Sequence, residues 1–538
     1  MQVKTFRVQG SPLQKGEAVM GLPAVIKALF KPSAYPEGCG KITFLQTHIS
    51  YIFLTDKYAY KIKKPVDFGF LDFTAIEKRL YFCKEEVRLN RRLAPDIYLG
   101  VAPITRVRHG YRVEGTGRVV EYAVKMKRIP DKVILERMIK EETITTEIVK
   151  RIAEKIASFH KDALTNKGIS GFGEIEIIKQ NIEENFSQVS SFIGTTISGK
   201  RLDKIRSYAE GFLRKNADLF KKRVSAGFIR DCHGDIHSEH IGAEDGIFIF
   251  DCIEFNRRFR YSDVVSDAAF LSMDLEFRGR GDLAKAFEKE YFSATGDIEG
   301  KRLLDFYKCY RAFVRGKVEG FKLNESEESS EDKKDALLKA LRYFDLSYEY
   351  STGGHKPVLL LVCGLIGTGK STVARLIAGK TGMAIISSDE ARKSLFSVPK
   401  RAHRYEGFKK GIYSESATDK TYAELVKKSL EFLKSGRSVM LDATFSKNTY
   451  IKEAEKAAKK AGADFKIIEC VSIEAVIKTR LKKRLKNKTS ISDATWDIYL
   501  KQKEDFERIK NPDIRLSTEK PEDEIVETAI KDVLTERP

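Results

Sequence analysis

The 538-residue sequence predicts an α+β domain over residues 1–350, joined to an α/β domain with a parallel sheet over residues 358–538. Three observations carry this. Residues 47–73, THISYIFLTDKYAYKIKKPVDFGFLDF, alternate apolar and polar side chains across two strands joined at Thr55-Asp56-Lys57, the period of a sheet with one polar face. Residues 358–380 run an apolar strand, Val358 to Cys363, straight into a glycine-rich loop and an amphipathic helix, the strand–helix unit of parallel sheets. Between them STGGHKP (351–357) breaks the chain with two glycines and a proline.

Bulk properties agree with more than one core. The length exceeds what a single core supports, and 42% hydrophobic with 32% charged residues describes a soluble globular chain. Seven cysteines without a CxxC pair argue against a disulfide framework or a cysteine–zinc cluster and fit a reducing compartment. The longest apolar run, Val358 to Ile366, is too short to span a bilayer, and MQVKTFRVQGSPLQKGE lacks the apolar stretch of a signal peptide. A cytoplasmic protein with no membrane partner is expected. The net charge is +20, with 37 Lys and Arg against 26 Asp and Glu in residues 356–538, densest in KTRLKKRLKNK (478–488). Such an excess suits polyanionic partners: nucleotides, phosphorylated metabolites or nucleic acid.

Along the first domain, LYFCKEEVRLNRRLAP (80–95) reads as a helix. On it, Glu86 stands where it pairs with Lys61 of the preceding strand; Lys63 and Glu85 are the rival pair members. VVEYAVKMKRIP (119–130) reads as a further strand. His160, in IASFHKD, ends a helical stretch as a packing or capping residue. CHGDIHSEHIGAEDGIFIFDCIEFN (232–256) then sets His233-Gly234-Asp235 on a turn, His240 five residues beyond Asp235, and Asp251 at the end of an apolar strand. Glu254 and Asn256 come next as candidates for acceptor recognition, and Asp263 and Asp267 as caps and loop braces. LNESEESSEDKKD (323–335) reads as a loop, after which Leu337, Leu341 and Phe344 recur at helical spacing.

The second domain opens on Gly364-x-x-x-x-Gly369-Lys370-Ser371 between strand and helix, the required context of a phosphate-binding loop. Gly364, Gly367, Thr368 and Gly369 let the backbone N–H groups, with those of Lys370, Ser371 and Thr372, face phosphate oxygens at a helix N-terminus. Lys370 supplies a point charge to the β/γ-phosphates, and the Ser371 hydroxyl suits Mg²⁺. MAII (383–386) leads to Asp389 and Arg392, three residues apart at a strand's carboxyl end, where ligands sit in parallel sheets. A carboxylate there accepts an acceptor hydroxyl's proton, and a guanidinium holds a phosphate or carboxylate of the acceptor. SVMLDATF (438–445) is a buried strand ending at Asp442, placed to order Mg²⁺ and its waters. Arg480 and Arg484 lie one helical turn apart on a helix suited to close over phosphates, and Trp496 of SDATWDIY (492–499) reads as a local core anchor.

These motifs carry two resemblances. The HGD turn and later acid, with HISYIFLTDKYAYKIKKPVDFGFLDF, RLNRRLAPDIYLGV and FDCIEFNRRFRYSDVVSDAAFLSMDL, resemble the aminoglycoside phosphotransferase and choline kinase branch of the protein-kinase-like fold, over roughly residues 20–350. The resemblance implies that Lys61, held by Glu86, grips the nucleotide phosphates and that residues 119–130 form the strand and hinge beside the base. It further implies that Asp235 orients or deprotonates the acceptor hydroxyl, that Asp251 holds Mg²⁺, and that His233 braces the loop. This chain departs from the branch at His240, where the family has Asn. Imidazole nitrogen is a softer donor than an amide oxygen. His240 is therefore a metal ligand favouring Mn²⁺, or a hydrogen-bond partner of Asp235 or phosphate, or the mark of a dead site; the joint presence of Lys61, Glu86, Asp235 and Asp251 favours a working one.

The carboxy-terminal 180 or so residues resemble the small P-loop kinases, among them gluconate kinase, adenylylsulfate kinase, the zeta-toxin group and polynucleotide kinase; Asp389-x-x-Arg392 is closest to the last. The whole looks like the bifunctional aminoglycoside phosphotransferase/ATP-binding family. Together the resemblances imply an enzyme with two ATP (or GTP) sites and Mg²⁺, with Mn²⁺ as the alternative. Such an enzyme transfers a γ-phosphate to a hydroxyl of a sugar, sugar phosphate or nucleoside. The alternatives are a kinase of RNA or DNA hydroxyls, and a regulatory switch in which one domain senses ATP.

Overall fold

A computed structural model of the protein describes residues 21–69, 71–324, 329–399, 409–486 and 495–534, the side chains of residues 484–486 excepted. Contacts group the chain into two compact units: one through Lys179 with Asn216–Leu271 and Glu290–Leu304, the other made of Gln180–Lys215, Ser272–Lys289 and the chain from Asp305 onward.

The first unit is built on a six-stranded antiparallel sheet. Its strands are β1 (Thr43–Gln46), β2 (Ser50–Leu54), β3 (Tyr58–Lys63), β4 (Tyr98–Val107), β5 (Gly110–Val113) and β6 (Arg118–Lys127), in the order β1-β2-β3-β6-β4-β5. The turn at Thr55 is closed by its own side chain, whose oxygen accepts the Tyr58 N–H at 3.1 Å. Alternation along β3 divides its residues between two faces. Tyr60 and Ile62 enter an apolar cluster with Leu29, Phe53, Ala102, Ile104 and Ala123. Each fully buried Leu, Ile or Phe among them stabilises the fold by about 1.5–3 kcal/mol. Lys61 and Lys63 project to the other face, where the helix Ile76–Asn90 packs against β6 and β4.

Four short strands come next: β7 (Ile229–Asp231), β8 (Ile241–Ala243), β9 (Ile247–Ile249) and β10 (Tyr261–Asp263). β7 pairs antiparallel with β10, and β8 with β9. The His233-Gly234-Asp235 turn thus hangs between two small ladders, and Asp251 lies two residues past the end of β9. Arg223 locks the floor of this region, its guanidinium bonded to both Asp263 and Asp297.

In the second unit β11 (Val358–Cys363), β12 (Ala384–Ser387), β13 (Val439–Asp442), β14 (Asp464–Val471) and β15 (Ile514–Ser517) form a parallel sheet in the order β12-β13-β11-β14-β15. Its strands are covered on both faces, by one cluster around Leu359, Leu361, Leu425 and Leu441 and another around Leu360, Val362, Ile377 and Met440. Consecutive residues of β11 go to opposite clusters, so the strand reads as an unbroken apolar run. The helices Lys370–Thr381 and Glu415–Ser435 end at Gly382 and Gly436, both in the left-handed region that glycine adopts without strain.

Residues 323–335, expected as a loop, are in part helical: Ser329 caps a helix Ser330–Thr352 by accepting the Asp332 N–H at 3.1 Å. The Ser-x-x-Asp start is a capping signal that the acidic composition hides. That helix ends at Gly353 and Gly354, both with positive φ. Within the same unit, Phe277 stacks on Tyr343 at 3.7 Å between centroids, and Arg342 donates to Phe277 O at 2.6 Å and to Lys380 O at 2.5 Å. Gly281 abuts the backbone of Gly436 so closely that a Cβ at Gly281 would overlap the Gly436 carbonyl.

Candidate active sites

In the first unit five charged side chains meet beneath the sheet. Lys61 Nζ lies 2.8 Å from Glu86 Oε1 and 2.6 Å from Asp251 Oδ1. Lys63 shares Glu86, reaching its other oxygen at 2.7 Å, and also bonds Glu254 while lying 4.9 Å from the centre of the Phe73 ring. Both lysines therefore hold Glu86; Glu85, the rival acid, pairs instead with Arg88. Burial pushes the Glu86 carboxyl up, but Lys61 and Lys63 outweigh it and hold it below the usual range. Burial acts the same way on Asp251, where Lys61 and then His240 prevail and lower it. At Glu254 burial wins, and its carboxyl is raised.

Asp235 joins this group through His240, whose Nδ1 is 3.3 Å from Asp235 Oδ2 and whose Nε2 is 3.5 Å from Asp251 Oδ2. Burial, then the neighbouring His237, lowers the His240 pKa. His233 accepts the Asp235 N–H at 3.3 Å, and burial pushes its own pKa down to about 4. The turn is anchored from below by Asp267, which accepts the N–H groups of His233 and Gly234 at 2.7 and 2.9 Å. His160 is packed against Tyr291 and Asp267 rather than lining the pocket.

Asp251 has φ +62°, a conformation unusual for a residue with a side chain. It is imposed by its neighbours. Tyr98 Oη accepts the Asp251 N–H at 3.1 Å, and Asn90 Oδ1 accepts the Cys252 N–H at 2.8 Å. Arg92 donates to the Asp231 and Cys232 carbonyls at 2.7 and 3.0 Å and fixes the entry to the HGD turn. Reasoning from residue chemistry misses Asn90, Arg92 and Tyr98, although all three lie in RLNRRLAPDIYLGV, one of the blocks that carry the family resemblance. Glu254 bonds Lys63, and Asn256 caps the short helix Arg257–Arg260 through Arg258 N.

In the second unit the loop from Gly364 to Gly369 leads directly into the helix Lys370–Thr381. Gly364, Gly367 and Gly369 have φ of 129°, 84° and 95°, and a Cβ at Gly364 would collide with the Cys470 carbonyl. Thr368 Oγ1 donates to Leu365 O at 2.7 Å, Lys370 Nζ donates to the same carbonyl at 3.0 Å, and Thr372 N–H donates to Gly369 O at 3.0 Å. Ser371 is exposed in the first helical turn.

Asp442 ends β13, level with Val362 of β11 and Ser387 of β12. Asp389, in the first turn of the helix Ser388–Leu395, is close enough that burial and then the Asp442 charge raise its pKa. Two carboxyls thus share the strand-end edge beside the loop, a pairing that favours proton acceptance by one of them. Arg392 turns away from open solvent: its guanidinium donates to Ile412 O at 2.7 Å and Thr418 Oγ1 at 3.3 Å and lies over Tyr413. Arg480 is bound to Thr518 at 2.8 and 2.6 Å, and Thr518 in turn donates to Thr368 O at 2.6 Å. The side chain of Arg484 lies outside the described residues. Trp496 packs on Tyr499 within a cluster that includes Leu365 and Ile366 of the loop.

The donor sets fit their expected ligands. Carboxylate and hydroxyl oxygens at Asp251, Asp442 and Ser371 are hard donors suited to Mg²⁺, and Lys61 and Lys370 are cations suited to phosphate.

Comparison with known proteins matches residues 359–509 to the model of the AAA domain family. Two proteins, from Mycobacterium tuberculosis and Mycobacterium bovis, are each 35% identical over 402 residues, covering 74% of this chain and 78% of theirs. More distant likenesses are a choline/ethanolamine kinase family protein from Mesorhizobium loti and the adenylylsulfate kinase of Mycobacterium tuberculosis. The first is 13% identical, covers 62% of this chain and all of the other, and has a TM-score of 0.36. The second is 24% identical, covers 33% of this chain and 96% of the other, and has a TM-score of 0.26.

Proposed function

We propose that the chain, which belongs to the family of these mycobacterial proteins, is a phosphotransferase with two nucleotide sites, a phosphotransferase-like domain fused to a P-loop domain. Each transfers the γ-phosphate of ATP or GTP to a hydroxyl of a small acceptor. The observation that carries the reading is the junction of Lys61 with both Glu86 and Asp251, while His240 ties Asp235 to the same group. A fixed cation for phosphate, an acid for metal and a separate acid for the acceptor are what in-line phosphoryl transfer requires.

In the first site Lys61 binds the nucleotide phosphates and Glu86 keeps its ammonium in place. Asp251 would hold Mg²⁺, which when bound would neutralise charge on the phosphate oxygens. Asp235 orients the acceptor hydroxyl; as its oxygen bonds the γ-phosphorus and the bond to the β-phosphate oxygen breaks, the hydroxyl proton passes to the Asp235 carboxylate. In the second site Lys370 and the loop N–H groups hold the phosphates, Ser371 and Asp442 belong to the metal, and Asp389 accepts the proton. Arg480 supports the loop through Thr518.

A small acceptor is favoured over RNA or DNA because Arg392 Nη1 is already bonded to Ile412 O and Thr418 Oγ1 and its guanidinium lies over the Tyr413 ring, leaving it less suited to a substrate phosphate. The division into functional domains at 351–357 and a cytoplasmic setting belong to the same proposal. The test is incubation of the full chain with labelled ATP, Mg²⁺ or Mn²⁺, and pools of sugars, sugar phosphates, nucleosides and RNA oligomers. Asp235→Asn and Lys370→Ala should each remove a different product. Labelled RNA alone would favour the polynucleotide reading. Nucleotide binding without any transfer would favour a regulatory switch.

A further inference from the structure

The HGD turn holds a second feature. His237, two residues beyond Asp235, is 1% exposed, and neither of its ring nitrogens has a hydrogen-bond partner among the described residues. Buried polar groups in folded proteins are paired, and leaving one unpaired costs about 1–3 kcal/mol. Its Nε2 lies 3.6 Å from Asp235 Oδ2, and His240 Nδ1 lies 3.3 Å from the same oxygen. The two imidazoles are 4.0 Å apart between centroids, and one donor atom from each of the three residues falls within a common 4.8 Å span.

This spacing has a physical meaning. Ligands at 2.0–2.1 Å from a tetrahedral ion stand roughly 3.3 Å from one another. The two oxygen–nitrogen separations are those of adjacent corners of such a shell. His240 also has an outer partner: with Nδ1 on an ion, its proton resides on Nε2, which faces Asp251 Oδ2 at 3.5 Å. A carboxylate behind a ligating imidazole is the usual device for fixing its ring and tautomer. Without an ion the Asp235 carbonyl, 3.1 Å from Nδ1, is that nitrogen's hydrogen-bond acceptor, and an ion takes its place when the proton moves to Nε2. Charge points the same way. The group contains the buried carboxyls of Glu86, Asp235 and Glu254 and the half-buried one of Asp251 against the buried ammonium groups of Lys61 and Lys63, an imbalance a bound cation relieves.

We propose that Asp235, His237 and His240 form a site for a transition-metal dication of the Zn²⁺, Co²⁺ and Mn²⁺ class. Two nitrogens and one oxygen select such ions over Mg²⁺. Three protein ligands leave one position for water or an acceptor oxygen, the arrangement of reactive rather than structural zinc sites. The inference rests on the phosphotransferase reading of this pocket in one respect: an ion here occupies the Asp235 oxygen that otherwise takes the acceptor's proton, so metal-free and metal-loaded first sites differ in their base.

The test uses the full chain, stripped with a chelator and titrated with Co²⁺ in the absence of nucleotide. Intense visible absorption from a tetrahedral, nitrogen-ligated ion is expected at one equivalent, with none displaced by excess Mg²⁺. Affinity should fall at least about 100-fold in His237→Gln and in His240→Asn. Circular dichroism and ATP binding at the Gly364–Ser371 loop should be unchanged in both variants. Absence of the band, or equal affinity in both variants and wild type, overturns the site. Nucleotide binding to metal-free Lys370→Ala protein, with its P-loop disabled, is measured in parallel. Co²⁺ binding without it would sink the first-site phosphotransferase reading and leave the metal site standing; the reverse result would sink the metal site alone.

Discussion

Asn90 and Cys252, 162 residues apart in the chain, are joined by a buried hydrogen bond: the side-chain oxygen of Asn90 accepts the Cys252 N–H at 2.8 Å. The Asn90 amide group donates to Glu86 O at 2.9 Å, so one side chain ties the Lys61–Glu86 helix to the peptide after Asp251. Asn90→Ala leaves that N–H buried and unpaired, at an expected cost of about 1–3 kcal/mol. Nucleotide affinity at the first site should weaken although Asn90 is not among the proposed ligand-binding residues. Urea denaturation and nucleotide titration in a Lys370→Ala background measure the two effects separately.

Lys63 balances two buried acids. Its replacement by Met strands Glu254 and leaves Glu86 with Lys61 alone. Removing one member of a buried ion pair costs about 3–5 kcal/mol. The double variant Lys63→Met/Glu254→Gln should recover part of that loss, because the stranded acid is neutralised. A double-mutant cycle by chemical denaturation gives the coupling; strict additivity would show that Lys63 and Glu254 do not depend on each other.

Gly364→Ala should abolish nucleotide binding at the second site. The residue sits at φ 129° and an added Cβ meets the Cys470 carbonyl, a fixed backbone atom. Strain of this kind costs on the order of 1–3 kcal/mol, and the loop can relieve it only by losing its curl. First-site activity should be retained, as followed by the product that Asp235→Asn removes.

The single tryptophan of the chain, Trp496, lies with Leu365 and Ile366 in one apolar cluster, and Lys478 stands 5.1 Å above its ring. Its fluorescence should therefore change when nucleotide fills the Gly364–Ser371 loop. A saturable change in wild type that vanishes in Lys370→Ala is the expected result. A signal surviving that substitution would place the response elsewhere.

His355 should make stability depend on pH. Burial works against its charge, but Glu349, 2.5 Å away, prevails and raises its pKa above the ordinary 6.5. A group whose pKa is raised by folding stabilises fully below its unfolded pKa, and that contribution is lost as pH rises through the folded value. Melting temperature should fall across this window above pH 6.5 in wild type, and the slope should flatten in His355→Gln.

Much of this is legible in the sequence, for identifiable reasons. The alternation of residues 47–73 and the strand–loop–helix at 358–380 are local patterns, and local patterns carry β2, β3, β11 and the helix after it. Lys61 and Glu86 are close in the chain, within one hairpin and the next helix. What the sequence hides depends on distant partners. That Lys63 is shared by Glu86 and Glu254 requires a contact over 191 residues, and the occupation of Arg392 by Ile412 and Tyr413 depends on how a loop folds back over a helix. His237 gives no sign of itself because an imidazole two residues after an acid has no periodic signature; only its burial without a hydrogen-bond partner among the described residues sets it apart. The start of the helix at Ser330 is obscured by a composition that resembles a loop, although Ser329 and Asp332 make a capping pair.

The abutment of Gly281 on Gly436 bears on heredity. A side chain at Gly281 has no room against the Gly436 carbonyl, and the two glycines are encoded far apart, one upstream and one downstream of the break at Gly353 and Gly354. A recombination event that exchanged the downstream coding region would bring to Gly281 a surface never selected to meet it. The two coding regions are expected to be inherited together, with lineages that branch in step.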